Sequence, residues 1–124
     1  MGNLLRYRAW DKLSNYIFDV ALIDFDTQMV KLGGCKYRNL DEVVLMQSTG
    51  LKDKNGTEIF EGDALKNNDY PNQTFICKHS RLQASFQAES LNGLLTLSLW
   101  KDEERDWQIL GNIYENPELL EENK

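Results

Sequence analysis

Asn92-Gly93, set between two stretches of alternating apolar and polar residues, constrains the fold of this chain more than any other dipeptide. Asn-Gly is favoured where both central residues of a two-residue hairpin take positive φ, so a type I′ reversal is expected there. A reversal that sets residue 91 opposite 94 fixes every pair beyond it. Phe86 then faces Leu99, Ala88 faces Leu97 and Ala84 faces Lys101, while Gln87 with Ser98 and Glu89 with Thr96 share the other face. One register therefore gives an apolar ladder inside and a polar ladder outside, and only the terminal Ala84–Lys101 pair is imperfect.

The run from Leu45 to Asp63 carries similar punctuation, with glycines at 50, 56 and 62. Its Asn55-Gly56 dipeptide, treated the same way, sets Leu51 opposite Phe60, Lys52 opposite Ile59 and Asp53 opposite Glu58. The last is a like-charge pair, so this hairpin is expected to be short or partly an irregular loop. Gly62-Asp63 marks another turn, leading into Ala64-Leu65-Lys66, where the Asp63 carboxylate can bond nearby backbone.

Period-two patterning also predicts strands over Leu4–Trp10, Tyr16–Phe25, Gln28–Leu32, Thr74–Lys78 and Trp107–Tyr114. Gly33-Gly34 breaks the pattern. Asp41–Gln47 fits either period, and its Val43-Val44 pair favours a strand. Asn67–Asn72 reads as a polar loop and Lys101–Asp106 as a charged one. Near the end, Asn116 as N-cap, Pro117 at the first helical position and Glu118 beside the dipole announce a short helix, pinned by Leu119 and Leu120. The expectation is a mainly β protein.

At 124 residues, with 41% apolar side chains and no linker-like tract, the chain is expected to form one domain, residues 1–124. Its net charge of −6 opposes unassisted binding to phosphate backbones. Cys35 and Cys77 lack metal-ligand spacing and are too few for a disulfide framework, which points to a reducing compartment. The first residues lack a secretory pattern and no apolar run approaches the ~20 residues that span a bilayer. A cytoplasmic protein with no membrane association is expected.

Asp53, Asn55, Glu58, Glu61 and Asp63 are the densest group of oxygen side chains. A calcium loop needs glycine sixth, whereas here it is fourth with Asp53 counted as first, so turn-forming and solvated charges explain the group. His79 is the only histidine, and no serine or cysteine has a nucleophile-elbow context. No phosphate-cradling glycine loop occurs either. Neither an enzyme nor a cofactor or metal site is expected. Arg6, Arg8 and Trp10 alternate onto one strand face, where Lys12, Tyr37 and Arg38 can join them. Such a surface stacks bases and meets phosphate, or else is an exposed face whose arginine stems cover apolar neighbours. Trp100, Trp107 and Tyr114 read as core or rim aromatics.

Tyr7-Arg8-Ala9-Trp10-Asp11, then the run from Leu45 to Gly56, then Ile59-Phe60-Glu61-Gly62-Asp63, and the ending Ile109-Leu110-Gly111-Asn112-Ile113-Tyr114-Glu115-Asn116-Pro117-Glu118-Leu119-Leu120 together resemble the YopX family. The resemblance covers essentially the whole chain, although residues 67–106 match only as a strand pattern. Ala64 departs from the larger β-branched residue usual after Gly-Asp. The resemblance implies a bacteriophage or prophage protein with an SH3-like small barrel, additional β-hairpins and a short C-terminal helix. It carries over no activity and no site residues. The resulting expectation is a non-enzymatic interaction module with a host or phage protein as partner, in the cytoplasm of the bacterial host and able to form a homo-oligomer. The alternative is a nucleic-acid-binding module using Arg6, Arg8 and Trp10, with Arg38 beside them.

Overall fold

The computed structural model describes residues 6–34, 36–80, 85–99 and 106–121. The chain divides into two compact units, Met1–Ser48 and Thr49–Lys124, and every strand pairing within them is antiparallel.

The first unit contains β1 (Tyr7–Asp11), β2 (Tyr16–Asp24), β3 (Met29–Leu32) and β4 (Lys36–Asn39), followed by a 3-10 turn at Leu40–Glu42 and the start of β5 (Val43–Lys52). The sheet order is β4-β3-β2-β1-β5. Alternation decides which residues meet: Ala9 stands opposite Phe18 on β2 and Leu45 on β5, while Ile23 stands opposite Val30. These residues fall on one face. Ala9, Val30, Leu32 and Val43 are buried there, with Phe18, Val20, Ile23, Leu40 and Leu45 packed around them. Burying a side chain such as Leu32 stabilises by roughly 1.5–3 kcal/mol. Asn15 and Gln28, both with positive φ, reverse the chain at the two hairpins.

β5 continues past Ser48, and its last residues pair with β6 (Glu58–Phe60) in the second unit. There β7 (Asp63–Asn67), β8 (Tyr70–His79), β9 (Phe86–Ser90), β10 (Thr96–Ser98) and β11 (Trp107–Asn112) form a sheet of order β10-β9-β8-β7-β11. Its core gathers Ile59, Leu65, Phe75, Cys77, Ala88, Leu99 and Trp107. Phe75 meets Trp107 edge-on at 5.4 Å between ring centres, a favoured aromatic arrangement. Cys77 is buried; Cys35, Ala84, Trp100 and Lys101 lie outside the described residues.

The β9–β10 register is the expected one, with Glu89 opposite Thr96, Ala88 opposite Leu97 and Gln87 opposite Ser98. The turn differs from type I′. Ser90 N–H donates to Leu95 O and Gly93 N–H to Ser90 O, so four residues form the loop and only Gly93 takes positive φ. Ser90 Oγ and Asn92 Oδ1 accept the Leu95 and Leu94 amides and favour this wider turn. Parity is unchanged, so every pair beyond the loop is unchanged.

Other expectations need correcting. The alternating pattern ends at Gly33-Gly34 and predicts no strand directly after it, yet Lys36–Asn39 pairs with β3 although its side chains are mostly exposed. β8 begins at Tyr70, because the Asn67 side chain accepts the Asp69 amide and closes a tight turn where a longer loop was expected. The C-terminal helix is a single 3-10 turn, Pro117–Leu120; Asn116 makes no side-chain cap and instead accepts from Asn112 N–H. Finally, no pairing among the described residues closes a sheet into an SH3-like barrel, since β10 and β11 stand at opposite ends of the strand order. Among the described residues no helix is long and apolar enough to cross a membrane.

Candidate functional site

The acidic run around Asn55-Gly56 is built into backbone. Asp53 N–H donates to Thr57 O and Gly56 N–H to Asp53 O, so Asp53 pairs with Thr57 rather than Glu58. That register removes the expected like-charge pair. Asp53 is 5% exposed; its Oδ1 accepts the Asn55 and Thr57 amides, and its Oδ2 accepts Ile109 N–H at 3.0 Å. Asp63, equally buried, accepts Phe60 N–H at 2.8 Å. Gly56 and Gly62 take positive φ and allow the chain to reverse at each place. Among the described residues no three His, Cys, Asp or Glu side chains are grouped to hold a metal ion.

Arg6 is exposed, and Arg8 and Trp10 are half-buried on the same face of β1. Arg38 does not join them. Its Nε donates to both Asp11 oxygens, at 3.0 and 3.1 Å, and Asp11 lies on the buried Ala9 face of β1. Burial pushes the Asp11 carboxyl up, but hydrogen bonds from Arg38, Ser14 Oγ and Leu13 N–H, with the Arg38 charge, outweigh it and hold the carboxyl below its usual value. Lys12 Nζ donates to Asp41 O, and Tyr37 is exposed on β4 with Lys31 Nζ over its ring. His79 is exposed and stands edge-on to Phe86.

The sheet edges differ in how their backbone groups are covered. On β4, Leu40 N–H reaches Gln28 O, so by alternation Tyr37 and Asn39 turn their peptide groups outward. Tyr37 O accepts from Arg38 Nη1, and Asn39 N–H donates to Glu42 Oε1. On β11, Ile109 N–H is taken by Asp53 and Trp107 O by Lys54 N–H. β10 has no such covering. Its inward bonds are Ser90–Leu95 and Leu99–Phe86, which leaves the peptide groups of Thr96 and Ser98 directed outward. Among the described residues nothing bonds them.

That open edge borders a cleft of about 270 Å³ lined by Asn67, Asp69, Tyr70, Leu97, Ser98, Asp106 and Trp107. The two ends of the strand order thus contribute to one cavity, Leu97 and Ser98 from β10 and Trp107 from β11. Trp107 is 2% exposed, and its buried Nε1–H has no hydrogen-bond partner among the described residues. A second groove, about 350 Å³, runs over Ile76, Leu91, Ile113 and Leu120, with the Lys78–Glu89 ion pair also lining it. Sequence reasoning missed Asp69, Tyr70 and Asp106 because they occupy two segments read as solvated loops. No spacing motif links residues that meet only through the fold.

Antiparallel sheets with polar side chains buried at their strand ends and a cleft at one edge define a small, mainly β protein. The chain belongs to the YopX family: the family described as YopX protein matches residues 6–121. Among solved structures it is similar to protein EF1440 from Enterococcus faecalis, with 29% identity, 97% of this chain and 100% of that chain covered, and a TM-score of 0.73. It is also similar to protein yopX from Bacillus subtilis, with 18% identity, coverage of 96% and 98%, and a TM-score of 0.59. No curated protein matches the chain.

Proposed function

We propose that this is a phage or prophage accessory protein, without enzymatic activity, that binds another protein in the cytoplasm of a bacterial host. One observation carries the reading: among the described residues nothing bonds the outward peptide groups of Thr96 and Ser98, while at the outer edges Tyr37 O and Asn39 N–H on β4, and Trp107 O and Ile109 N–H on β11, are each taken. An uncovered strand edge is a template for pairing with another chain, and proteins commonly shield edges that have no partner. A photo-cross-linking residue placed at Thr96, in cells producing the protein during infection, should capture one defined protein; the same residue at Tyr37 should not. A second copy of this chain is one form that partner can take, read as a cross-linked dimer. No Thr96-dependent product across the infection cycle overturns the reading.

The nucleic-acid alternative keeps one supporting observation. Residues 1–48 hold six Lys or Arg and six Asp or Glu, so the unit that presents Arg6, Arg8 and Trp10 is neutral and the chain's acidity lies elsewhere. Gel shifts with single- and double-stranded probes at low salt separate the two readings. Binding that weakens steeply with salt and is lost in Arg6→Glu/Arg8→Glu supports the alternative.

A further inference from the structure

We infer that the segment docking at β10 is an extended, basic stretch of polypeptide, with a Lys or Arg side chain in the cleft between Asp69 and Asp106. This rests on the protein-binding reading and specifies the partner's chemistry.

Three features of the cleft converge on that occupant. The first is the backbone edge. Thr96 and Ser98 present outward N–H and C=O groups, and an extended chain laid along them completes an antiparallel or parallel ladder. A helix or a folded surface cannot match that repeat.

Charge is the second. Asp69 and Asp106 both line the cleft, and none of the described residues lining it is Lys, Arg or His. Asp69 is exposed and Asp106 half-buried, so both carboxylates can reach an incoming cation. Their peptide groups hold the wall together independently of those side chains: Asn68 N–H donates to Asp106 O, and Asp69 N–H donates to Asn67 Oδ1. Successive side chains of an extended ligand point to opposite faces, so alternate residues meet the carboxylates.

Size and polarity supply the third. About 270 Å³ is below the usual range of small-molecule sites and suits one long side chain with its adjoining backbone. Tyr70, 38% exposed, lines the cleft with an aromatic ring, the kind of group that attracts a guanidinium or ammonium ion. The indole of Trp107 has a buried donor without an acceptor among the described residues, and carbonyl groups are what an extended peptide brings.

The test is a random octapeptide library displayed on phage and panned on the full-length protein, followed by synthetic peptides of the selected sequences. Selected sequences should be enriched in Lys or Arg at alternate positions and depleted in Asp and Glu. Asp69→Asn/Asp106→Asn, isosteric and leaving the backbone bonds of the wall in place, should weaken binding about tenfold, with the loss shrinking at high salt. N-methylation of alternate peptide amides on the ligand should abolish binding, and this tests the ladder without altering the protein. A failure to select any binder, a selected set without basic residues, or affinity unchanged in the double variant overturns the inference. If Thr96 still cross-links a protein in cells while the peptides prove neutral, the partner's chemistry is wrong and the binding reading stands. Loss of the cross-link removes the reading itself.

Discussion

Asp11, Asp53, Asp63, Asn67, Ser90 and Asn112 are the buried polar side chains of the described chain, and each stands at the end of a strand. Each accepts at least one backbone amide from the adjoining turn. A buried carboxylate or amide is costly unless its acceptors are used, and turn amides need acceptors, so each defect satisfies the other. Asp53 makes the most of these bonds, to Asn55, Thr57 and Ile109. Asp53→Ala should therefore lose about 2–4 kcal/mol of stability, measured as a lower urea midpoint at unchanged slope. Asp53→Asn, which keeps one acceptor oxygen, should lose less. Asp11 adds a pH dependence. Its folded pKa lies below the ordinary 3.8, so the stability it supplies is complete above that value and is lost as pH falls through the folded pKa. Between pH 7 and pH 3, wild type should lose stability faster than Asp11→Asn; parallel profiles in urea melts contradict this. Sequence alone shows Asp and Asn at turns but not which are buried, because burial depends on strands distant in the chain.

Elements were legible in proportion to how locally their pairing is set. The β9–β10 register follows from two alternating stretches and a loop of even length, so the wrong turn type still gives the right partners. β4 was illegible for the opposite reason: Lys36, Tyr37 and Asn39 are exposed, and only hydrogen bonding to β3 makes that segment a strand. The closing motif sits between these cases. Asn116 N–H donates to Asn112 O while Asn116 Oδ1 accepts Asn112 N–H, and the Asn112 side chain accepts the Tyr114 and Glu115 amides. Gly111 leaves the room for this clasp, since a Cβ there would stand 2.3 Å from Asn116 Oδ1. Gly111→Ala should displace Asn116 and cost about 1–3 kcal/mol. Gly93→Ala meets no neighbour and should cost only about 1–2 kcal/mol of left-handed backbone strain. Gly93→Ala isolates the conformational cost, whereas Gly111→Ala adds a steric cost to that of its own positive φ; in thermal melts of the double variant Gly111→Ala/Asn116→Ala, most of the steric part should disappear.

Across the whole molecule charge is divided unequally. Residues 1–48 balance six cations against six acids, whereas residues 49–124 hold eight cations and fourteen acids and carry the entire net −6. Net charge taken over the full chain therefore overstates the repulsion of nucleic acid from the N-terminal unit and understates the attraction of cations to the other. Within the N-terminal unit, Arg38 is committed to Asp11 and Lys12 to Asp41 O, which removes two of the cations expected to support Arg6, Arg8 and Trp10. A surface reduced in this way can contact about two phosphates, for which log K should fall with log salt at a slope of roughly −1.8 on duplex DNA. Specific DNA binders combine many more such contacts. The full-length protein should accordingly retain DNA or RNA weakly at 50 mM salt and lose it by 200 mM. Arg6→Glu/Arg8→Glu should remove that residual binding without changing the Thr96 cross-link. Retention at 200 mM salt, with a slope of several units, would reverse the order of the two readings and move the functional surface from the β10 cleft to β1.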